Sequence, residues 1–207
     1  VAGLIDADAS PSAAEAEALF ANVETIRIDT KTGNVLGPAE NIDPGPVIKA
    51  AKDNNLSTAT TSPAAKGARL KRMPNELKVM KVTSAGHECY VFLLWGNGLW
   101  STMYGYLALE TDLQTVKGIT FYEHGETPGL GGEIDNPRWK ERWSGKLVYN
   151  ESGAAALTVT KGGQAKDPKY QVDGISGATI TSVAVGNTVL TWLGDEGYGP
   201  YIKKEAK

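Results

Sequence analysis

The sequence predicts an α+β domain: an antiparallel β-sheet built from hairpins, with helices flanking it. Two observations lead to that fold. Residues 77–83 and 88–95 are strand-like and flank the turn Ser84-Ala85-Gly86-His87, while 104–109 and 116–122 flank Thr111-Asp112-Leu113-Gln114. Two such pairs in succession are hairpins, and hairpins side by side make an antiparallel sheet. Helical patterns fall outside this block, on either side of it, which is the order of an α+β fold rather than of alternating βαβ units.

Taken in order, residues 12–22 are rich in Ala and Glu and read as a helix, and 24–29 alternate as a strand before the turn Lys31-Thr32-Gly33-Asn34. Residues 38–74 carry Pro, Gly, Ser, Thr and Lys without sustained periodicity, which predicts an extended, partly mobile surface segment. The expected organisation is therefore an N-terminal helix, hairpin and extended segment over 1–75, packing on a main domain over 76–207. Beyond the two hairpins, 136–143 reads as a short helix with Pro137 in its first turn, and 157–160 as a further strand. The last long helix spans 181–193, with Leu190 and Leu193 toward one side and a stop at Gly194.

Composition narrows the function. Of 207 residues, 21 are Lys or Arg and 24 are Asp or Glu, a net charge of −3 with no basic stripe of the kind that nucleic acid requires. Cys89 is the single cysteine and sits beside an apolar run, as a buried structural thiol does. With only two histidines, far apart, no metal or iron–sulfur ligand set is expected, so redox chemistry would have to come from an organic cofactor. No apolar run approaches the roughly 20 residues that cross a bilayer. No catalytic residues are expected: the segment Gly174-Ile175-Ser176-Gly177-Ala178 misses the second glycine of a nucleophile elbow.

The most informative stretch is Asp173-Gly174-Ile175-Ser176-Gly177-Ala178-Thr179-Ile180-Thr181-Ser182, which opens the last helix. Its first free backbone N–H groups fall near 179–182, and together with the positive end of the helix dipole they favour an anion such as a phosphate. Gly177 and Ala178 leave little bulk beside Thr179, so its hydroxyl is open to attachment; Thr181 is a second candidate. An ordinary capped helix, with Asp173 or Ser176 satisfying the N–H groups, is the alternative these residues leave open. Three further segments could complete a site. Trp95-Gly96-Asn97-Gly98-Leu99-Trp100 offers the apolar and aromatic surface of Leu99 and Trp100 to a flat ring. His124-Gly125-Glu126-Thr127-Pro128-Gly129-Leu130-Gly131-Gly132-Glu133 is glycine-rich enough to aim backbone amides at a ligand, and its Glu126 and Glu133 read as solvated or capping carboxylates rather than as an acid and base pair. In Thr160-Lys161-Gly162-Gly163, the Lys161 ammonium could balance a phosphate.

The run Asp-x-x-Ser-Gly-Ala-Thr at 173–179 resembles the flavinylation signature of the FMN-binding domain family. The segments Gly-Asn-Gly-Leu-Trp at 96–100, Glu-Thr-Pro-Gly-Leu-Gly-Gly-Glu at 126–133, Asn-Pro-x-Trp at 136–139, Lys-Gly-Gly at 161–163 and Trp-Leu-Gly-Asp-x-Gly-x-Gly-Pro at 192–200 are similar, in the same order, to the C-subunit family of bacterial Na+-translocating NADH:quinone reductases. The resemblance covers about residues 77–204. The G subunit of a related ferredoxin:NAD electron-transport complex shares the threonine signature with a shorter glycine loop, and a non-redox extracytoplasmic ligand-binding module is the alternative outside redox chemistry.

The resemblance implies FMN joined covalently to Thr179 by a flavin transferase through a phosphoester. Leu99, Trp100, Thr127, Leu130 and Gly131 would surround the ring, with Lys161, Ser176, Gly177, Ala178, Thr181 and the helix start around the phosphate. It implies a role as an electron relay from NADH toward quinone, with the other membrane subunits of the complex as partners. It also implies a single N-terminal transmembrane helix that these residues do not include, anchoring this domain on the periplasmic side of the inner membrane.

Overall fold

A computed structural model describes residues 22–84 and 87–206. The expected helix over 12–22, apart from its last residue, and the turn residues 85 and 86 lie outside the described residues. Six strands form one antiparallel sheet in the order β2-β1-β5-β6-β7-β8. These are β1 (Val23–Asp29), β2 (Val35–Pro38), β5 (Glu76–Ser84), β6 (His87–Asn97), β7 (Thr102–Leu109) and β8 (Val116–Glu123). The mostly antiparallel α+β architecture is the one the sequence predicts. The four strands β5 to β8 pair in succession as a meander, so the 96–100 segment turns between paired strands: Leu93 lies opposite Tyr106, and Asn97 opposite Thr102. β1 pairs with β5 from Val23 opposite Val82 to Asp29 opposite Glu76, which joins the N-terminal third to the same sheet.

The segment over 38–74 is not the extended stretch expected from its composition. It folds into α1 (Gly45–Ala50), β3 (Ser57–Ala59), α2 (Pro63–Gly67) and β4 (Arg72–Pro74), with β3 and β4 paired antiparallel. Elements of three to six residues are too short to show a period, and their stability comes from distant partners. The Glu196 carboxylate accepts the Thr61 N–H at 2.5 Å and the Ser62 hydroxyl at 2.5 Å, while the same Ser62 Oγ caps α2 by accepting the Ala65 N–H at 3.2 Å. Lys78 donates to the carbonyls of Asn41 and Asp43, and the Thr30 hydroxyl to that of Pro74.

The remaining elements are a 3-10 turn (Gly131–Asp135), α3 (Pro137–Glu141), the two-residue parallel pair β9 (Thr158–Val159) and β10 (Gln171–Val172), α4 (Thr179–Leu193) and α5 (Gly199–Glu205). Asn136 caps α3 by accepting the Arg138 N–H, with Pro137 at the first helical position as expected.

α4 packs against β6, β9 and α2 and is buried on almost every side, from Thr181 and Ser182 through Val185 and Val189 to Trp192 and Leu193. A helix without a solvent face must satisfy its polar side chains internally. Thr188 and Thr191 do so by donating to the carbonyls one turn back, Ala184 at 2.8 Å and Asn187 at 2.7 Å. Gly96 on β6 faces Thr188, and the absence of a side chain there lets the helix settle onto the strand. At the C-terminal end the fully buried Trp192 donates its indole N–H to the Trp95 carbonyl at 2.7 Å and packs on the Trp95 and Tyr198 rings at 4.2 and 5.8 Å.

Trp192→Ala should lower stability by about 3–5 kcal/mol, the usual cost of truncating a buried aromatic side chain. Urea denaturation followed by circular dichroism measures it; a loss below about 1 kcal/mol would show that α4 is not held at this end.

Candidate functional site

The site lies where α4 reaches the surface. Its N-cap position is Ala178, and no side chain caps the helix. The two residues that would cap an ordinary helix here do not do so. Asp173 Oδ1 accepts the Ala165 N–H at 2.7 Å and Oδ2 pairs with Arg142 at 2.7 Å. Ser176 is exposed and makes no side-chain hydrogen bond among the described residues. Ser182 turns back to accept the Ile175 N–H at 2.9 Å, bracing the turn from below. The first N–H groups of α4 therefore remain directed outward, with the dipole behind them.

Gly177 takes the left-handed conformation, φ +74°, that closes this turn. A Cβ there would stand 3.0 Å from Leu130, so the glycine also lets Leu130 rest over the turn. The two threonines differ sharply. Thr179 is exposed and its hydroxyl has no partner among the described residues. Thr181 is 1 % exposed and donates its hydroxyl to Glu126 Oε2 at 2.6 Å.

Glu126 organises the floor of the site. It is 5 % exposed, in the loop after β8. Besides Thr181, its carboxylate accepts the backbone N–H groups of Leu99 (3.2 Å), Trp100 (2.9 Å) and Ser101 (3.3 Å), three of the four residues between β6 and β7. Burial pushes its carboxyl up, but the Thr181 hydroxyl and the three N–H donors outweigh that and hold it below the usual carboxylate range. Two glycines make room: a Cβ on Gly98 would come within 2.6 Å of Oε1, and one on Gly131 within 2.7 Å of Oε2 and 2.6 Å of the Thr181 hydroxyl. The glycines of two motifs distant in sequence thus serve one carboxylate. Sequence reasoning left Glu126 as a solvated or a capping carboxylate; it is buried and accepts backbone N–H groups, and the glycines around it and Gly98 were the signal of the room it needs.

Several amides of the glycine-rich loop, which its composition suggests could be aimed at a ligand, are engaged within the protein instead. Gly125 N–H donates to Ser101 Oγ, Glu126 N–H to His124 Nδ1, Leu130 and Gly132 N–H to the Thr127 carbonyl and Glu133 N–H to the Leu130 carbonyl. Acceptance at Nδ1 leaves His124 Nε2 to donate to Asp135 at 2.7 Å. Glu133 receives the Asn136 side-chain amide at 2.6 Å. The internally bonded loop forms a platform with Leu130 and Thr127 exposed and Gly131 buried.

Two of the expected residues, Thr181 and Gly131, lie buried behind the site against Glu126 rather than around a ring or phosphate, and the others, Ala178 apart, line the surface. Leu99, Trp100 and Leu130 are 39 %, 70 % and 45 % exposed and present apolar surface, as does Ile180 in the first turn of α4, 52 % exposed. Ser176, Gly177, Ala178 and Thr179 form the turn itself. The Thr160–Gly163 turn that carries the exposed Lys161, unpaired among the described residues, abuts it: Gly174 N–H donates to Thr160 Oγ1 at 2.8 Å, and a Cβ on Gly174 would stand 2.9 Å from Gly162 N. Trp139 locks the other flank by donating its indole N–H to the Asp173 carbonyl at 2.9 Å. An open hydroxyl, an uncapped helix start, a lysine and an exposed apolar rim are together the chemistry of a site for a phosphorylated aromatic cofactor.

Comparison with known proteins agrees. A model of the FMN-binding domain matches residues 98–194, which include Leu99, Trp100, Glu126, Leu130, Lys161 and Thr179. The C subunit of the Na+-translocating NADH-quinone reductase of Vibrio alginolyticus is 44 % identical over 189 residues, 90 % of this chain and 72 % of that one. The C subunit of the Yersinia pestis enzyme is 40 % identical over 192 residues, 91 % and 70 % of the two chains. The chain belongs to the C-subunit family of Na+-translocating NADH-quinone reductases. The fold is that of the family as well: the crystal structure of Shewanella oneidensis NqrC superposes with a TM-score of 0.82 at 34 % identity, covering 94 % of this chain and 89 % of that one. The C subunit from Parabacteroides distasonis gives 0.71 at 29 % identity, covering 94 % and 86 %. Among the described residues no helix is long and apolar enough to cross a membrane, and no group of three metal-ligating side chains occurs.

Because Glu126 is held below the ordinary glutamate value of 4.5, its contribution to stability is present in full above that value and is lost as pH falls through the folded-state pKa. The difference in urea midpoint between wild type and Glu126→Gln should be steady near neutral pH and shrink in acid. A difference that stays constant down to about pH 3 would contradict an ionised, hydrogen-bonded carboxylate.

Proposed function

We propose that this chain is an electron-transfer flavoprotein subunit of a Na+-translocating NADH-quinone reductase, with FMN attached as a phosphoester on Thr179. The observation that carries the reading is the exposed Thr179 hydroxyl at the uncapped start of a 15-residue helix, set among residues that the FMN-binding domain model matches. Formation of the ester removes the Thr179 hydroxyl proton and joins the hydroxyl oxygen to the flavin phosphate, which must arrive as an activated flavin phosphoanhydride whose other half leaves as the phosphorus–oxygen bond of the anhydride breaks. Nothing in the described part of this chain accepts that proton, so a separate flavin transferase performs the chemistry and needs the threonine within reach. Thr181, buried and bonded to Glu126, is a poor substrate for such an enzyme.

The residues divide the work. The α4 N–H groups and the Lys161 ammonium offset the phosphate charge, and Ser176 adds a hydroxyl at the same turn. Leu99, Trp100, Leu130 and Thr127 give the ring a surface on the outer face of the Glu126 platform. The flavin, when bound, supplies the redox chemistry, and the protein supplies placement and electrostatics. Covalent attachment removes the loss of translational and rotational freedom that a dissociable cofactor incurs on each association. In the complete complex the domain would be held by a transmembrane helix on the periplasmic side, relaying electrons between neighbouring subunits on the route from NADH toward quinone.

Co-production with a flavin transferase should yield a protein whose peptide 171–194 gains the mass of one FMN residue, localised to Thr179 by fragmentation and absent in Thr179→Ala. An adduct localised to Thr181, or retained in Thr179→Ala, would overturn the assignment. Because a relay must expose one edge of its ring, iodide should quench the flavin fluorescence of the loaded domain; full protection from iodide would contradict the relay.

A further inference from the structure

Glu126 stands behind the residues expected to touch a flavin, and its role goes beyond packing. A buried carboxylate is costly to desolvate, and apolar residues of similar volume often replace such groups without loss of stability. Here the carboxylate has a geometry that no apolar side chain reproduces. Oε2 receives the Thr181 hydroxyl and the Leu99 N–H, and Oε1 receives the N–H groups of Trp100 and Ser101. One end of this link is the first turn of α4, which carries Thr179. The other is the β6–β7 turn, which carries Leu99 and Trp100. Their side chains reach into solvent, so the backbone clamp, rather than side-chain packing, sets where they stand.

We propose that Glu126 is a positioning residue for the flavin, fixing the Leu99–Trp100 turn relative to the helix turn that bears Thr179, and that its fixed negative charge tunes how readily the attached ring is reduced. The proposal rests on the reading that Thr179 carries FMN. The electrostatic direction follows from sign alone: a carboxylate close behind the ring surface disfavours added electrons, and neutralising it favours them. With the carboxylate buried but the surface that would carry the ring open to solvent, the effect is at most about tenfold in the ratio of reduced to oxidised flavin, about 30 mV for a two-electron couple.

Two variants separate position from charge. Glu126→Gln keeps the length, removes the charge, and sets an NH2 group against either the Leu99 N–H or the Trp100 and Ser101 N–H groups. Glu126→Asp keeps the charge and shortens the reach. In protein made without the transferase, hydrogen exchange of the Leu99, Trp100 and Ser101 amides should quicken in both variants while the amides of Val185 to Leu193 stay protected. In flavinylated protein, spectroelectrochemical titration should show a higher midpoint potential for Glu126→Gln and a smaller change for Glu126→Asp. Unchanged exchange at residues 99–101 would overturn the clamp. A potential that is unmoved or lowered in Glu126→Gln would overturn the electrostatic role. If wild-type protein matured with its transferase carries no flavin, the attachment to Thr179 fails and the electrostatic role with it, while exchange in the unloaded protein still decides the clamp.

Discussion

The architecture depends on one constraint: a helix buried nearly all round must still bring its first residue to the surface with its N–H groups unclaimed. α4 runs through the body of the domain, with Val185, Val189 and Trp192 in the core and Thr188 and Thr191 bonding back to their own helix. That burial makes the helix a fixed rod. Its orientation, and therefore that of the N–H groups at its start, is set by packing against β6, β9 and α2 rather than by anything at the site. An anion placed at such an end meets donors that need no reorganisation.

A capping side chain at the start of α4 would stabilise the helix by about 1 kcal/mol, and this chain forgoes it. Asp173, the residue well placed by sequence to cap, is instead drawn into a knot with Arg142, Ala165 and Trp139 that holds the flanks of the turn. Stability is recovered a layer deeper. Glu126 ties the helix turn to the β6–β7 turn, and Gly98 and Gly131 give up side chains so that the carboxylate fits. Rigidity behind the site and openness at its surface are thus achieved by different residues, a division suited to a domain that must fix a cofactor and leave it accessible to partners.

Much of this was legible in the residues. Strand-like runs flanking recognisable turns placed β5 to β8 close to their observed ends, because strand composition and turn residues are local signals. Pro137 marked α3, and Gly194 follows the last residue of α4. Residues 38–74 were unreadable because four elements of three to six residues carry no period and are held by Glu196, Lys78 and Thr30 from other parts of the chain. The short helix α5 after Gly199 was likewise obscured, since its glycine and proline opening reads as a turn.

The sequence by itself determined which segments could bear a phosphorylated cofactor, because hydroxyls, small residues and a lysine in a helix-opening turn have local chemistry that does not depend on the rest of the chain. It also determined an antiparallel sheet, since hairpin pairing is a short-range property. It left two threonines two positions apart with the same functional group. Tertiary structure alone separates them: rotation about the α4 axis turns Thr181 inward onto Glu126 and leaves Thr179 in water, and that rotation is set by the packing of Trp192, Val189 and Gly96 far from either hydroxyl. The burial of Glu126 was hidden for the same reason, as its four donors come from two segments that meet only when the sheet and the helix are assembled.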